Sequence, residues 1–468
     1  MAGGGPGERA RIGPARRPDV TRRLPGRRLA RRALSAGLLT ASAPLEWRLP
    51  FRAPGEIERA QHRRLRATVA HAHAHVPYYR ETMRRLGLGP GDFETADDLA
   101  KLPLIEREQL QRDPEYFVSR AKPLSRYVEL HTGGSTGEPV AFFRAVGGLQ
   151  RSLGFQRMEP TLARLSGTRW RRRVALIVPP SSSPPQPPQA QWLSLHQRAV
   201  YCTFSLFDPP AEVAPRIDEF RPHVVRSYGS YVEALYSHLV SERRSFHRPH
   251  VVTWYADPIS DPVRHLMTED LGIALLSVYQ AVESGIIGWE CERQNGHHLN
   301  VDTCPIRILN PDGRDVPAGE GGQVVVSNLV NRGTVLLNYM LGDLATRLSE
   351  SCGCGRSLPM LSHVQGRTTD WLQSTSGRPI HPQTLRGILR DVQGIRRYQL
   401  VQERRGHVRI VTVTATGADR DEIRARVIAA ARRLVDPIEA EVEFSETLSR
   451  TEGGKVRTFL RREDRGSA

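Results

Sequence analysis

The chain is poor in lysine, cysteine and aromatic residues, and it lacks any long apolar run. Lys101, Lys122 and Lys455 are the only lysines among 67 basic residues in 468. Arginine supplies the rest, a bias that reads as coding preference as much as function. The five cysteines, Cys202, Cys291, Cys304, Cys352 and Cys354, are too few and too unevenly spaced for a disulfide framework. Aromatic residues make up 6%. The basic runs Arg171-Arg172-Arg173, Arg404-Arg405 and Arg461-Arg462 lack the interleaved rings of a stacking surface. That argues against specific nucleic-acid recognition. No apolar stretch approaches the ~20 residues that cross a bilayer. The longest, such as residues 174–178, are strand-sized. No membrane span is expected, and no internal repeat is evident.

What is present is charge, and it is unevenly placed. The net charge is +17. Ten arginines against Glu8 and Asp19 put +8 of it within residues 1–32. Residues 1–45 are rich in Gly, Pro and Arg, lack apolar periodicity, and are predicted to be a disordered tail. They lack the compact apolar segment of a secretory signal, and a cytoplasmic protein is expected. The remainder, 39% hydrophobic and 25% charged over the whole chain, is long enough for two or three packed domains.

The periodicity predicts helices over residues 56–74, 79–86, 231–240, 261–270 and 420–435, with shorter pieces at 96–99 and 107–111. Pro77 should end the first helix. Strands are predicted at 173–178, 223–227, 306–309, 322–326, 398–402, 408–414 and 440–444. Alternating strands and helices in the middle of the chain indicate α/β layers. A β-rich texture follows from Ile306, and a compact α+β unit follows Gly366. The Pro-rich stretch 179–188 reads as a surface loop.

Chemistry-bearing motifs are few. In Val128-Glu129-Leu130-His131-Thr132-Gly133-Gly134-Ser135-Thr136-Gly137-Glu138-Pro139 a short strand enters a loop of glycines and hydroxyls. Such a loop offers backbone N–H groups to a polyphosphate; an ordinary turn is the alternative. It lacks the Gly-Lys-Ser/Thr of a Walker A loop. Charge neutralisation must then come from Mg²⁺ or from a basic residue elsewhere. Glu283, after Tyr279 and before a glycine, suits a Mg²⁺ site or a solvated turn. Asp343 follows Gly342 and suits a ribose diol or a turn. Cys291, His297 or His298, Cys352 and Cys354 could form a closed zinc site or remain unpaired thiols. His71, His73 and His75 read as surface polar residues. Lys455, in Gly453-Gly454-Lys455, lies on a glycine-flexed loop that could swing into a remote site.

Taken in order, these pieces resemble the adenylate-forming ligase superfamily, in its phenylacetate–CoA ligase-like (CapK-type) branch. The resemblance covers about residues 60–460. It begins at Val76-Pro77-Tyr78-Tyr79-Arg80, Leu102-Pro103-Leu104 and Arg107-Glu108, and continues through the glycine-rich loop. Tyr255-Ala256-Asp257-Pro258-Ile259 is similar to the family's adenine-side motif, and Tyr279 to Glu283 to its Tyr-Gly-x-x-Glu motif. Gly342-Asp343-Leu344 matches the ribose segment. Gly366-Arg367-Thr368-Thr369-Asp370 matches the inter-domain hinge, and Gly454-Lys455 the mobile catalytic lysine.

The resemblance implies an α/β fold: a large ATP- and acyl-binding domain over residues 46–367 and a small mobile C-terminal lid domain over 368–468. It implies an acyl-adenylate made from a carboxylic acid and ATP, with CoA the acceptor; an amine or other acceptor and a non-catalytic nucleotide-binding relative are the alternatives. Thr132, Gly133, Gly134, Ser135, Thr136 and Gly137 would hold phosphates, and Ala256, Asp257, Pro258 and Tyr279 would lie at the nucleotide. Glu283 would hold Mg²⁺, Asp343 with Arg367 the ribose, and Lys455 would serve the α-phosphate. Cys291, His298, Cys352 and Cys354 fall where many members of this branch carry zinc. A homodimer is one implied assembly. Gln280, Asn338, Leu341 and Thr369 depart from the family's usual residues and leave the acid unnamed.

Overall fold

The computed structural model describes residues 41–131, 140–145, 149–179, 191–194, 198–243, 245–364, 366–367, 372–375, 379–380, 389, 392–415, 417–432, 438–450, 456 and 459–461. The loop 132–139, the hinge residues Thr369 and Asp370, the stretch 180–190, Leu434, Val435 and Lys455 lie outside them. Residues 41–48 are helical, and Ala43 and Glu46 are buried, so helix begins inside the stretch assigned to the tail.

Helix α1 (Pro54–His75) buries Ile57, Leu65, Val69 and Ala72, a stripe at helical spacing. It stops where Pro77 forces Val76 into an extended conformation. The same proline then opens α2 (Pro77–Leu86), which ends on Gly87 at φ +67°. α3 (Arg107–Arg112) is a single short piece. Strands β1 (Tyr127–His131) and β2 (Ala141–Ala145) flank the glycine-rich loop as an antiparallel hairpin. Val128 is 47% exposed, so β1 is a surface strand.

Helix α4 (Leu149–Ser166) leads into a nine-stranded mixed sheet. In chain order its strands are β3 (Arg172–Val178), β4 (Gln191–Ser194), β5 (Ala199–Ser205), β6 (Val224–Tyr228), β7 (Val251–Tyr255), β8 (Ala274–Ala281), β9 (Gly285–Glu290), β10 (His297–Leu299) and β14 (Met360–Leu361). Their order across the sheet is β14-β10-β9-β8-β7-β6-β3-β5-β4. The central run β5-β3-β6-β7-β8 is parallel. Its strands are near-continuous apolar runs because both faces are covered. One face packs on α5 (Pro210–Phe220) and α6 (Gly229–Ser241) through Val213, Ile217, Tyr231 and Leu235. The other packs on α4 through Phe155, Met158 and Leu162. The helix expected over 261–270 divides into α7 (Asp261–His265) and a wider π turn (Leu266–Asp270).

A second, antiparallel sheet orders β11 (Ile306–Leu309), β12 (Gly321–Val326), β13 (Tyr339–Thr346) and β15 (Gly366–Arg367) in sequence. It shares an apolar cluster with α1 and α2, in which Leu65, Val69 and Met83 meet Ile306, Val324 and Leu336. Beyond Arg367 come the short pair β16 (Leu372–Gln373) and β17 (Pro379–Ile380), then β18 (Ile395–Arg404), β19 (His407–Thr414), helix α8 (Arg420–Arg432), β20 (Glu439–Phe444) and β21 (Phe459–Arg461). The last sheet is ordered β20-β19-β18-β21. Ile423, Val427 and Ala431 of α8 close its core, whose members all fall between Leu372 and Phe459. No helix among the described residues is long and apolar enough to cross a membrane.

Candidate active site

Parallel strands β6, β7 and β8 lie side by side, and the expected nucleotide motifs sit at or just beyond their C-terminal ends. That edge of a parallel sheet is where helix N-termini and loops converge on ligands. After β7 the chain turns sharply. Ala256 adopts φ +76°, a left-handed conformation costly for a residue with a Cβ. The turn packs on the start of α6 so closely that a Cβ on Gly229 would lie 2.2 Å from the Asp257 carbonyl oxygen. Glycine is therefore required there. Asp257 is buried, and its Oδ1 accepts the Ser230 N–H of α6's first turn at 3.0 Å.

Tyr279 near the end of β8 and Asp343 on β13 are 64 residues apart, yet the Tyr279 hydroxyl donates to Asp343 Oδ2 at 2.8 Å. Asp343 is buried on the same face of β13 as Leu341 and Ala345. Across the ladder its register partner is Arg367. The resemblance paired these two residues, and the strands place their backbones opposite one another. Arg367's side chain and the loop glycines and hydroxyls from Thr132 to Gly137 lie outside the described residues, as does Lys455.

Glu283 sits in the β8–β9 turn and is only 7% exposed, so it is not a solvated turn carboxylate. Asn328 Nδ2 donates to its backbone carbonyl at 2.9 Å. Arg107 Nη1 lies 4.0 Å from its Oε1. Arg144 of β2 donates to the neighbouring Val282 carbonyl at 3.0 Å. Arg144 thus clamps the hairpin that carries the glycine-rich loop against the Glu283 turn. Arg107 and Arg144 thus bring two guanidinium groups to the Glu283 turn. The sequence marked Arg107 only as part of a motif and did not mark Arg144. No local spacing joins Arg144 to a turn 138 residues away.

The departures from the family pattern have structural roles. Asn338, at φ +63°, donates from its amide to the Leu102 carbonyl at 2.7 Å and accepts from Arg307 Nη1 at 2.9 Å. It ties the Leu102-Pro103 segment to β11. Leu341 is buried in the core, and Gln280 is half-buried beside Tyr279.

Cys291, His298, Cys352 and Cys354 come together, their donor atoms all within 4.8 Å of one another. Cys291 and Cys352 sulfurs are 3.5 Å apart, and Cys354 Sγ lies 3.3 Å from His298 Nε2. Three thiols and one imidazole are the donor set of a closed tetrahedral metal site. Burial pushes the Cys291 thiol up to about 12 and takes His298 down to about 4. Burial is the largest single influence on Cys354 and opposes its ionisation, but hydrogen bonds to Arg356 and Cys352 and the Arg356 charge together hold the thiol below its ordinary range. Alternation along β10 decides between the two histidines. His298 faces the cysteines, whereas His297 meets Ser277 Oγ at 3.0 Å and lies against Tyr279. His71 and His75 touch ring to ring, with centroids 5.0 Å apart. Along with His73 they are half-buried rather than fully at the surface, and among the described residues they join no donor cluster.

No family model matches the chain. It is 26% identical over 366 residues to a phenylacetate–coenzyme A ligase of Thermus thermophilus, an alignment covering 75% of this chain and 80% of the other. In fold it is similar to a 2-hydroxyisobutyryl-CoA ligase in the postadenylation state, with TM-score 0.70 at 19% identity over 89% and 92% of the two chains. Against the same ligase in the thioesterification state the TM-score is 0.57. The amide bond synthetase McbA of Marinactinospora thermotolerans shares the fold at TM-score 0.52 and 16% identity, over 86% and 92% of the chains. Beside the ordered motifs and the paired Tyr279 and Asp343, these likenesses make the chain similar in sequence to phenylacetate–coenzyme A ligases and similar in fold to a CoA ligase.

Proposed function

We propose that the protein activates a carboxylic acid with ATP, forming an acyl-adenylate and pyrophosphate, and then passes the acyl group to CoA. The observation that carries this reading is the convergence of Asp257, Tyr279 and Glu283 beside adjacent parallel strands, with Asp343 hydrogen-bonded to Tyr279. Residues 46–367 would form the large domain and 368–468 the lid.

The substrate carboxylate attacks the α-phosphorus, and pyrophosphate leaves. Positioning and charge stabilisation do most of the work in such a transfer. Thr132, Ser135 and Thr136 with the loop N–H groups would hold the phosphates, and Arg144 sets where that loop stands. Asp343, with Arg367 opposite, would accept from the ribose hydroxyls. Lys455 would place a positive charge at the α-phosphate and the substrate carboxylate. A buried carboxylate is a hard oxygen donor that suits Mg²⁺, and Glu283 would hold it; the ion supplies neutralisation of phosphate charge. Cys291, His298, Cys352 and Cys354 fit Zn²⁺ with no ligand position left over, so the ion's contribution is structural. No described cysteine is joined in a disulfide, as expected in a reducing compartment.

A non-CoA acceptor such as an amine is the second reading. The fold shared with an amide bond synthetase favours keeping it. Pyrophosphate release with ATP, Mg²⁺ and a panel of aryl and aliphatic acids tests the activation step. Release dependent on one acid, followed by thioester on adding CoA, is the expected result. Release that CoA cannot convert selects the other acceptor. No release with any acid would overturn the adenylation reading.

A further inference from the structure

Two buried carboxylates, Asp257 of the adenine-side motif and Glu233 outside any motif, share one construction. Asp257 gives one oxygen to its own surroundings, accepting Ser230 N–H, and gives the other, Oδ2, to the Val456 N–H at 3.1 Å. Glu233 on α6 accepts the Ser260 N–H on Oε1 and pairs its Oε2 with Arg397 Nε of β18 at 2.8 Å. Asp257 is 7% exposed and Glu233 4%. Each is therefore pre-oriented by α6 and the β7 turn, and each spends its remaining oxygen on the C-terminal unit. The N–H that Asp257 holds belongs to the peptide joining Lys455 to Val456. Between the two contacts Pro258 and Ile259 face Leu389, Ile395 and Tyr398 across a cavity of about 100 Å³.

We infer that Asp257 and Glu233 are positioning residues that latch the C-terminal unit onto α6 and the β7 turn in the arrangement that serves adenylation, and that acyl transfer requires both contacts to open. The inference rests on the proposed function and adds to it the device that sets one of its two domain arrangements. The higher likeness to a postadenylation state than to a thioesterification state agrees with a latched arrangement. Glu233 and Arg397 are 164 positions apart in the chain, and neither lies in a motif.

The test separates the half-reactions in the full-length protein. Arg397→Gln touches only the C-terminal side, and Glu233→Gln removes the charge that Arg397 pairs with. Acid-dependent ATP–pyrophosphate exchange should fall about tenfold to a hundredfold in each, as when a reacting group is misplaced. Thioester formation from supplied acyl-adenylate and CoA should hold or rise. In a Lys455→Ala background Arg397→Gln should cost nothing further, because it acts through the lysine. Equal loss of both half-reactions, or an Arg397→Gln cost that persists without Lys455, would overturn the latch. Hydrogen–deuterium exchange gives a readout free of activity. Faster exchange at the Val456 amide in Asp257→Ala supports the contact, and unchanged exchange overturns it. If the unaltered protein forms no adenylate with any acid, the functional reading fails, and the exchange result still decides the latch.

Discussion

The molecule has two joints, and they are built differently. Where the N-terminal helical segment and α1 meet the large sheet, Arg157 of α4 is fully buried. It donates to Glu46, Asn300 and Asp302, with contacts of 2.7 to 2.9 Å, and Arg64 of α1 reaches the same two carboxylates. Burial works against the charge on Arg157, and Asp302 and Glu46 more than offset it. Where the C-terminal unit meets the same sheet, one hydrogen bond and one ion pair stand out, Asp257 to Val456 and Glu233 to Arg397. A many-partnered buried cation cannot leave without stranding two carboxylates. Two contacts around a cavity can open and reform. The first joint suits a permanent seam and the second a moving one.

The largest effect should come from breaking the permanent seam. Arg157→Met leaves Glu46 and Asp302 buried without it and should lower unfolding free energy by about 3–5 kcal/mol. Denaturant titration would measure this, and a loss confined to surface-pair size would show that the seam is not energetically central. Next is Lys455→Ala, on the moving side. Adenylation should fall by about two to three orders of magnitude, while transfer from preformed acyl-adenylate and the melting temperature stay near those of the parent. Equal loss of both half-reactions would refute a lysine that serves only one arrangement.

Cys354→Ser, on the permanent side, should remove bound zinc and lower the melting temperature by several degrees, about 2–4 °C per kcal/mol in a domain of this size. Both half-reactions should fall together, if at all. Metal analysis of the purified protein with and without a chelator reads the first part. The smallest effect is a pH slope. Burial holds His297 at about 4, below the ordinary 6.5 of the unfolded chain. The unfolded state therefore binds a proton that the folded state refuses, and stability falls as pH drops from about 6.5 towards 4. His297→Gln should flatten that slope in thermal melts between pH 7 and 5. An unchanged slope would assign it to other groups.

Local rules made much of the fold legible. The stripe of α1, Pro77 between α1 and α2 and the apolar strands of the central sheet follow from spacing and turn chemistry within a few residues. Motif order marked Asp257, Tyr279, Glu283 and Asp343 for the same reason, since each motif is short and continuous. Contacts that join distant segments were not legible. Arg144 at Val282, Tyr279 at Asp343 and Arg397 at Glu233 depend on which strands neighbour which, and the nine-stranded sheet shuffles that order. Local spacing left His297 and His298 as alternatives and only the resemblance pointed to His298; the strand β10 separates them physically, because a two-residue alternation sends neighbours to opposite faces. The split at Leu266 has no sequence signal that we can identify.

Asp343 and Arg367 face one another across a ladder that holds two residue pairs among the described residues. One of the pair is the ribose carboxylate of the proposed site, and the other opens the segment about which the lid would turn. A swivel anchored on that ladder shares backbone hydrogen bonds with the nucleotide's seat. Loading the seat would stiffen the swivel, and turning the swivel would strain the seat. Nucleotide occupancy and lid angle would then be two readings of one mechanical state, with no separate messenger between them.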